Sequence, residues 1–387
     1  MARSIARHAV RSSVWKWSLP LLVFAWTHAA ASPYTGLVVF GDSLSDVGNT
    51  SASTFGLQPG SAYFDGRFSN GPVYAERLAD GLGLDPVVRS GAGGRNYAFG
   101  GAETNGPGGF VGLFLDSLVE QVDDYVGGIG GADPNALHVV FIGANDLFNG
   151  QSSVATPLSV ISTQLDRLVD AGARQVLGIN LPLLGLTPDN LGNAGLSAAT
   201  AGFNAGLATL YDTLETATPG LTIHRLDVAT LFSRLVAAPS AWGFTNTTSQ
   251  GINAADAAGF VFWDGVHPTR EAHALLGEAA IRAVLPEGDY DRDGVVTTAD
   301  YAVWRAEYGN RFDAAAGVTT GFASDANNDG RIDAADYTVW RDAFALAAVA
   351  IPEPGGLLLG LALVGTGLVG SSPARGRFGS HSRCDVV

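Results

Sequence analysis

The sequence predicts an α/β fold in which helices cover both faces of a parallel sheet. Four short apolar or β-branched runs lie between residues 34 and 285, and each has the length of a strand. The first two are nearly continuous apolar runs closed by glycine, as is typical of buried parallel strands. The four runs are residues 37–40, 137–142, 175–180 and 222–226.

Two longer stretches between these runs carry apolar residues at helical spacing. They contain Val160, Ile161, Leu165, Leu168 and Val169, and then Phe203, Leu207, Leu210, Tyr211 and Leu214. A strand, a helix and a further strand in succession form right-handed crossovers and hence a parallel sheet. Because such sheets bind ligands at the carboxyl ends of their strands, functional residues are expected directly after the runs.

Composition limits the class of partner. The 387 residues include 22 Lys and Arg against 37 Asp and Glu, and the formal net charge of −15 argues against nucleic acid. A hydrophobic fraction of 47% is ordinary for a protein with a buried core. The single cysteine, Cys384, permits no intramolecular disulfide.

Both ends have the composition of processing signals. Residues 1–31 join a basic stretch, a short apolar run and small residues, which predicts a secretory signal peptide cleaved after Ala31. Residues 351–387 place Pro-Glu-Pro before an apolar span and a basic tail, and this order resembles a PEP-CTERM sorting signal. The resemblance implies transient membrane anchoring and release to the cell envelope or extracellular matrix. A permanent C-terminal anchor is the alternative.

Three segments place polar residues or glycines where the cleft is expected. Ser43 follows the first run, where a turn would hold its hydroxyl in the cleft and its N–H near a helix N-terminus. Gly100 and Gly101 let the backbone approach a ligand closely. Asn145 follows the second run and can donate to an oxyanion. Taken alone, each segment is more often a glycine turn or a helix cap.

A fourth segment contains Asp264 and, three residues later, His267. An aspartate at that spacing can reach the imidazole, fix its tautomer and stabilise the imidazolium. A lone surface histidine is the alternative interpretation.

Taken in this order, Ser43, the glycine pair, Asn145 and His267 resemble the four blocks of the SGNH hydrolases, in the branch that holds GDSL lipases and acylhydrolases. The resemblance covers about residues 38–285 and implies a three-layer α/β/α, flavodoxin-like parallel sheet. The absence of a Gly-x-Ser-x-Gly segment disfavours the α/β-hydrolase fold.

The same resemblance implies a secreted serine esterase that needs no cofactor for catalysis. Ser43 would attack the ester, His267 would take its proton, and Asp264 would hold His267. The Ser43 N–H, the Gly101 N–H and the Asn145 side chain would bind the oxyanion, with Gly100 as the alternative second donor.

An acidic repeat follows residue 286. Residues 289–300 (the first loop) and 325–336 (the second loop) have oxygen-bearing side chains at positions 1, 3, 5, 9 and 12 and glycine at position 6, the spacing of a calcium loop. Position 7 would contribute a backbone carbonyl. The expected Ca²⁺ ligands are Asp289, Asp291, Asp293, Val295, Thr297 and Asp300, and then Asp325, Asn327, Asp329, Arg331, Asp333 and Asp336.

Position 12 is Asp rather than the Glu of an EF-hand, and the same helix follows each loop, so the repeat resembles a type I dockerin. The resemblance implies a small all-α domain over residues 286–345 that binds a cohesin-like or scaffold protein. Positions 10 and 11 lack the hydroxyl pair of many cellulosomal dockerins. Contact with another protein, or packing against the chain's own catalytic domain, therefore stays open.

The sequence as a whole predicts four parts: a signal peptide (1–31), a hydrolase domain (34–285), the repeat domain (286–345) and the sorting segment (351–387). The substrate would be a carboxylic ester, either small, lipid or acetylated polysaccharide. An acyltransferase or phospholipase of the same family is one alternative, and a catalytically silent matrix or adhesion protein is the other.

Overall fold

The central sheet contains four parallel strands in the spatial order β1-β2-β3-β4. Each strand coincides with one of the predicted runs, and the predicted parallel sheet is confirmed. The strands are β1 (Leu37–Gly41), β2 (Leu137–Phe141), β3 (Gln175–Ile179) and β4 (Thr222–Leu226). Every residue of β1 and β2 is buried, which is why both sequences are almost continuously apolar rather than alternating.

The computed structural model describes residues 32–106, 114–128, 130–150 and 153–350. The predicted signal peptide at 1–31 and the predicted sorting segment at 351–387 lie outside the described residues. Within the described ranges, no helix combines the length and the hydropathy needed to cross a bilayer.

The register of the sheet brings the strand ends together. Leu37 pairs with Leu137, Leu137 with Gln175, and Gln175 with Thr222, so all four strands begin at the same level. Since the strands are of equal length and parallel, their carboxyl ends also meet at one edge. The segments that follow β1 and β2 therefore emerge side by side.

Helices occupy both faces of this sheet. The described residues contain α1 (Asn49–Ser53), α2 (Tyr74–Gly81), α3 (Leu118–Gly128), α4 (Ala144–Phe148), α5 (Ala155–Ala171), α6 (Ala194–Ala217), α7 (Val228–Ala237), α8 (Arg270–Val284), α9 (Thr298–Glu307) and α10 (Ala334–Ala350). The two predicted helical stretches lie within α5 and α6.

Contacts made by β2 separate the two helical layers. The ring of His138 meets Tyr125 of α3, whereas Phe141 meets Tyr74 of α2. Strand residues three apart point to opposite faces, so α2 and α3 lie on opposite sides of the sheet. α5 and α6 extend the α3 layer, and α8 packs against α2. The result is the expected three-layer α/β/α arrangement.

A small parallel pair, β5 (Asn246–Gln250) and β6 (Phe260–Phe262), lies outside the central sheet. It was not predicted, yet it supports the segment that contains His267. The Trp263 N–H donates to the His267 carbonyl at 2.8 Å, and the Thr269 N–H donates to the Val261 carbonyl at 2.9 Å. The Thr269 hydroxyl then caps the first turn of α8.

Residues 289–350 form a two-helix unit, called the repeat module below. Each loop leads directly into a helix, the first into α9 and the second into α10. Trp304 and Trp340 lie in a cluster of aromatic rings with Tyr301 and Tyr337 between the two helices. The two tryptophans therefore contribute to the small core between α9 and α10.

Candidate active site

Ser43 lies in a turn at the end of β1. The Ser45 and Asp46 N–H groups donate to the Asp42 carbonyl at 3.0 and 3.1 Å, which closes the turn around the serine. The expected helix N-terminus directly after Ser43 is not present, because the next helix, α1, begins only at Asn49. Ser43 is 7% exposed, so its hydroxyl lies in a recess rather than on the open surface.

A continuous chain of hydrogen bonds joins the three residues predicted as nucleophile, base and acid. The Ser43 Oγ lies 2.8 Å from His267 Nε2, and His267 Nδ1 lies 2.7 Å from Asp264 Oδ2. The serine and the histidine are 224 positions apart in sequence. This arrangement can deprotonate the serine hydroxyl through the imidazole.

Several donors hold the Asp264 carboxylate in its charged form. Its Oδ1 accepts the Val266 and His267 N–H groups at 2.9 and 2.7 Å, and its Oδ2 accepts the Tyr63 hydroxyl at 2.6 Å. Burial alone would raise the pKa of Asp264, but His267 and Tyr63 outweigh it and lower that pKa below its usual range. The carboxylate is therefore available to stabilise an imidazolium at neutral pH.

Tyr63 is a site residue that the sequence did not indicate. It lies in an irregular segment 201 positions before Asp264. Its ring contacts Phe68, which in turn lies against the His267 ring at 5.1 Å between centroids. Phe68 also explains the glycine at 100, because a Cβ there would lie 2.1 Å from the Phe68 ring.

The backbone at the glycine pair distinguishes its two members. The Gly100 N–H donates to Asp46 Oδ2 at 3.0 Å and to Thr50 Oγ1 at 2.6 Å, so it already has acceptors within the protein. Gly101 has a φ of +83°, which other residues rarely adopt. Both glycines border the recess that contains Ser43.

Asn145 lies in the first turn of α4, directly after β2. One N–H of its side-chain amide donates to the Ala102 carbonyl at 2.9 Å, which fixes the amide beside the glycine pair. Asn145 borders the same recess as Ser43 and Gly101. The structure thus brings the three predicted oxyanion donors to one place.

Two buried aspartates connect these segments. Asp46 accepts N–H groups from residues 48 to 50 and from Gly100. Asp146 accepts both the N–H and the hydroxyl of Thr104, just beyond the glycine pair. The serine turn, the glycine segment and the start of α4 are therefore tied together by buried hydrogen bonds.

The recess opens into a cavity of about 250 Å³. Ser43 and His267 lie on its wall, and most of the remaining lining is apolar. These apolar side chains include Leu44, Phe68, Leu115, Phe148, Leu184, Val228, Leu231, Phe232, Leu235, Leu275 and Leu276. The wall thus includes residues of the turn after β1, of α7 and of α8.

The two loops of the repeat module have matching geometry. Asp289 accepts the N–H groups of Asp293 and Gly294, and Asp325 accepts those of Asp329 and Gly330, at 2.8 to 3.1 Å. Asp300 and Asp336, at position 12, each accept three backbone N–H groups from their own loop. The position-9 side chains, Thr297 and Asp333, accept the Ala299 and Ala335 N–H groups at the starts of α9 and α10.

The first loop gathers three carboxylates. Ligand atoms of Asp289, Asp291 and Asp293 lie within 4.8 Å of one another. Burial and the charges of Asp300 and Asp293 raise the pKa of Asp291 to about 6, and its buried Oδ1 has no hydrogen-bond partner within the protein. Asn327 and Asp329 have the same places in the second loop, where Asn327 donates to Asp329 at 3.0 Å. This donor set fits a hard divalent cation.

Comparison with known families agrees with this geometry. The model of the GDSL-like Lipase/Acylhydrolase family matches residues 37–280, more than half of the chain. The chain belongs to this family. The hydrolase is accordingly a carboxylic ester hydrolase, and its C-terminal residues 287–341 match the Dockerin type I domain.

Relatives of the hydrolase come from plants and bacteria. A GDSL esterase/lipase of Arabidopsis thaliana is 28% identical over 63% of this chain and 86% of that protein. A phosphatidylcholine-sterol acyltransferase of Aeromonas hydrophila is 26% identical over 71% of this chain and 98% of that protein. Among solved structures, an acetylxylan esterase of Geobacillus stearothermophilus covers 66% of this chain and 96% of its own at 12% identity, with a TM-score of 0.40.

We predict that Tyr63→Phe lowers kcat/KM for a soluble ester about three- to tenfold, because it removes one hydrogen bond to Asp264 while keeping the ring contact with Phe68. Steady-state kinetics measures the effect, and thermal unfolding checks that the fold is unchanged. The exposed Tyr308→Phe is the matched control. An unchanged rate for Tyr63→Phe would show that Asp264 does not depend on this hydroxyl.

Proposed function

We propose that this hydrolase is a serine esterase that cleaves its substrate through an acyl-enzyme formed on Ser43. The observation that supports the proposal most strongly is the unbroken Ser43–His267–Asp264 hydrogen-bond chain on the wall of an apolar cavity. A histidine without a catalytic role seldom has one ring nitrogen bonded to a serine hydroxyl and the other to an aspartate.

In the proposed reaction, His267 Nε2 accepts the Ser43 proton as Ser43 Oγ attacks the ester carbonyl carbon. Asp264 stabilises the imidazolium, which then donates its proton to the departing alcohol oxygen. The acyl group stays on Ser43 until a water, deprotonated by the same imidazole, attacks the acyl carbon. The imidazolium then returns this proton to Ser43 Oγ as the bond between Ser43 and the acyl carbon breaks and the acid leaves. Each half of the reaction thus ends with His267 in its neutral form.

The negative oxygen of each tetrahedral intermediate would be held by the Ser43 N–H, the Gly101 N–H and the Asn145 amide. Gly101 is preferred over Gly100, because the Gly100 N–H already donates to Asp46 and Thr50. Asn145 keeps a second N–H beyond the one that it gives to Ala102. Preorganised donors of this kind are worth more in a water-excluded recess than in solvent.

The lining of the cavity supports an ester with an apolar acyl chain as the substrate. A volume of about 250 Å³ lies just below that of sites that bind drug-sized ligands, so it is more than an acetyl group needs. α7 contributes Val228, Leu231, Phe232 and Leu235 to the wall, so a bound alkyl chain would bury apolar surface there. Lipid esters are favoured over acetylated polysaccharide on this ground.

An acyltransferase is the second candidate. The same acyl-enzyme would form, and an alcohol rather than water would accept the acyl group. The relative from Aeromonas hydrophila, aligned over 98% of its length, is named for transfer to a sterol. Product analysis in the presence of an added alcohol separates the two, because transfer yields a new ester instead of the free acid.

We further propose that the repeat module binds two Ca²⁺ ions, one for each loop. Asp289, Asp291, Asp293 and Asp300, with the Val295 carbonyl and Thr297, would hold the first ion. The equivalent residues 325 to 336 would hold the second. Bound Ca²⁺ would supply positive charge that balances the clustered carboxylates and closes each loop.

We also propose how the chain is exported and assembled. The chain would be secreted with the signal peptide removed, divided into a hydrolase domain at 34–285 and a repeat domain at 286–345, and anchored transiently through residues 351–387. Positions 10 and 11 of both loops are exposed and could meet a cohesin-like or scaffold protein. N-terminal sequencing of the exported protein tests the signal peptide, and Ser32 is the first residue expected.

We predict that Ser43→Ala lowers kcat for p-nitrophenyl butyrate by about six orders of magnitude, because no nucleophile remains. Asn145→Ala should lower it by about two to three orders, the usual effect of losing one oxyanion donor. The exposed Ser61→Ala is the control and should retain full activity. Residual turnover by Ser43→Ala near the wild-type rate would contradict the mechanism.

We predict that Val228→Phe, which fills part of the cavity, lowers kcat/KM for p-nitrophenyl octanoate at least about tenfold more than for the acetate. Val228→Ala enlarges the same wall and should leave the octanoate preference in place. Parallel assays with acetate, butyrate, octanoate and palmitate measure the profile. Equal losses on acetate and octanoate would place the acyl chain elsewhere.

We predict that isothermal titration calorimetry counts two Ca²⁺ ions per wild-type chain and one ion for Asp291→Ala. The substitution removes a ligand of the first loop alone, so the second loop serves as the internal control. Two ions bound by Asp291→Ala would remove this residue from the ligand set.

A further inference from the structure

The fourth position of each loop carries a side chain that points out of the loop. Arg292 and Asn328 have positive φ values of 66° and 55°, a conformation that costs energy in arginine and less in asparagine. Neither residue belongs to the expected Ca²⁺ ligands. Both nevertheless meet the same helix of the hydrolase, α8, at Glu278 and Arg282, which are one helical turn apart.

Arg292 reaches a buried carboxylate on α8. Its Nη2 lies 2.7 Å from Glu278 Oε2, and the Glu278 side chain is only 5% exposed. Arg77 of α2 donates to the other oxygen of Glu278 at 2.9 and 3.1 Å. A buried carboxylate depends on such partners, so the loss of Arg292 would leave Glu278 partly uncompensated.

Asn328 makes the equivalent contact from the second loop. Its Oδ1 accepts from Arg282 Nε at 2.9 Å and also from Arg282 Nη2. Arg282 Nη1 donates in addition to the Phe322 carbonyl at 3.2 Å, between the two loops. The Arg282 side chain is 14% exposed, so these acceptors replace solvent around the guanidinium.

A third contact lies between the loops. Residues 309–324 connect α9 to the second loop, and the Ala314 N–H donates to the Trp242 carbonyl at 2.9 Å. Phe312 stacks against Phe244 with 6.3 Å between the ring centroids. Gly330 packs closely against the same part of the hydrolase, since a Cβ there would lie 2.5 Å from the Trp242 ring. Phe312 and Phe322 thereby join the apolar core of the hydrolase.

The outward direction of Arg292 and Asn328 depends on the closed loops. Asp289 and Asp325 hold the backbone of positions 5 and 6, immediately after these residues. Without a cation, the carboxylates of Asp289, Asp291 and Asp293 repel one another at this separation. An opened loop would relax the unfavourable φ at position 4 and withdraw the side chain from α8.

Helix α8 connects this contact to the catalytic histidine. It begins at Arg270, three residues after His267, and Thr269 caps its first turn. Ala272, Leu275 and Leu276 on the same helix line the cavity. A change in the mobility of α8 would therefore reach both the base and the wall that faces the acyl chain.

We propose that the repeat module docks on its own hydrolase, and that Ca²⁺ binding clamps α8 through Arg292 and Asn328. The proposal rests on the calcium sites proposed above and adds an intramolecular partner for them. It also identifies the face involved. Position 4 of each loop meets the hydrolase, whereas positions 10 and 11 stay exposed.

The test is amide hydrogen exchange of the full chain, measured by mass spectrometry with Ca²⁺ and with a chelator. In the wild type, removal of Ca²⁺ should speed exchange in residues 270–284 about tenfold or more, since charged hydrogen bonds to the helix are lost. Exchange in β2, which touches neither loop, should change far less. Faster exchange only within the two loops would overturn the clamp.

The variant pair Arg292→Gly and Asn328→Gly, made together, separates the clamp from Ca²⁺ binding. Glycine accepts the positive φ, and all the expected ligands stay in place. The double variant should still bind two ions by calorimetry, yet show fast exchange in residues 270–284 whether Ca²⁺ is present or not. The exposed Arg305→Ala, on α9, should behave as wild type.

Two further results would contradict the proposal, and they have different meanings. If the wild type binds no Ca²⁺, both the calcium sites and the clamp fail, while the esterase mechanism is untouched. If it binds two ions but the double variant retains slow, Ca²⁺-dependent exchange in α8, the calcium sites stand and the clamp alone is wrong.

Discussion

The buried carboxylate of Asp46 is the interaction on which the arrangement of the active site depends. It accepts N–H groups from Gly48, Asn49 and Thr50 and also the N–H of Gly100. Burial raises the pKa of Asp46 above its ordinary value, and the hydrogen bonds from these donors offset only part of that rise. The carboxylate thus ties the serine turn to the glycine segment, together with the Asn96 amide, which donates to the Ser45 carbonyl at 2.7 Å.

Further hydrogen bonds fix the segments around this carboxylate. Asp146 joins the start of α4 to Thr104, and Asn145 thereby reaches the glycine pair. On the opposite wall, β6 and the Thr269 cap fix the segment that carries His267. The serine and the histidine approach within 2.8 Å because both walls are held by hydrogen bonds, many of them from side chains to the backbone, as well as by apolar packing.

The sequence predicts those parts of the molecule that local patterns encode. Buried parallel strands favour continuous apolar runs, which identify β1 and β2, whereas β4, whose burial alternates, could be identified only from a weaker run. Ser43, Asn145 and His267 could be found because each follows a strand or has a partner three residues away. Tyr63 could not, since nothing near it marks a contact with Asp264, 201 positions later. The turn after Ser43 was also mistaken for a helix start, because glycine, aspartate and serine favour both.

In the repeat module, too, local sequence patterns predict some features, while long-range contacts are not predicted. Ligand spacing predicts the two loops because six positions within twelve residues must face one ion. Its docking could not be predicted, since position 4 faces outward and carries no constraint from the ion. Glu278 and Arg282 are four residues apart on a helix, a common spacing that gives no sign of an outside partner. Only the fold shows that their partners come from Arg292 and Asn328.

Docking of the repeat module on its own hydrolase would contribute to the stability of the chain. One cysteine allows no internal disulfide, so stability must come from buried apolar surface and, in our proposal, from bound metal. The module on its own has a small core of stacked aromatic rings, and small units of this kind fold only with further support. Sharing Phe312 and Phe322 with the hydrolase core supplies that support. The same contact would make Ca²⁺ binding a source of stability for the helix behind the catalytic histidine.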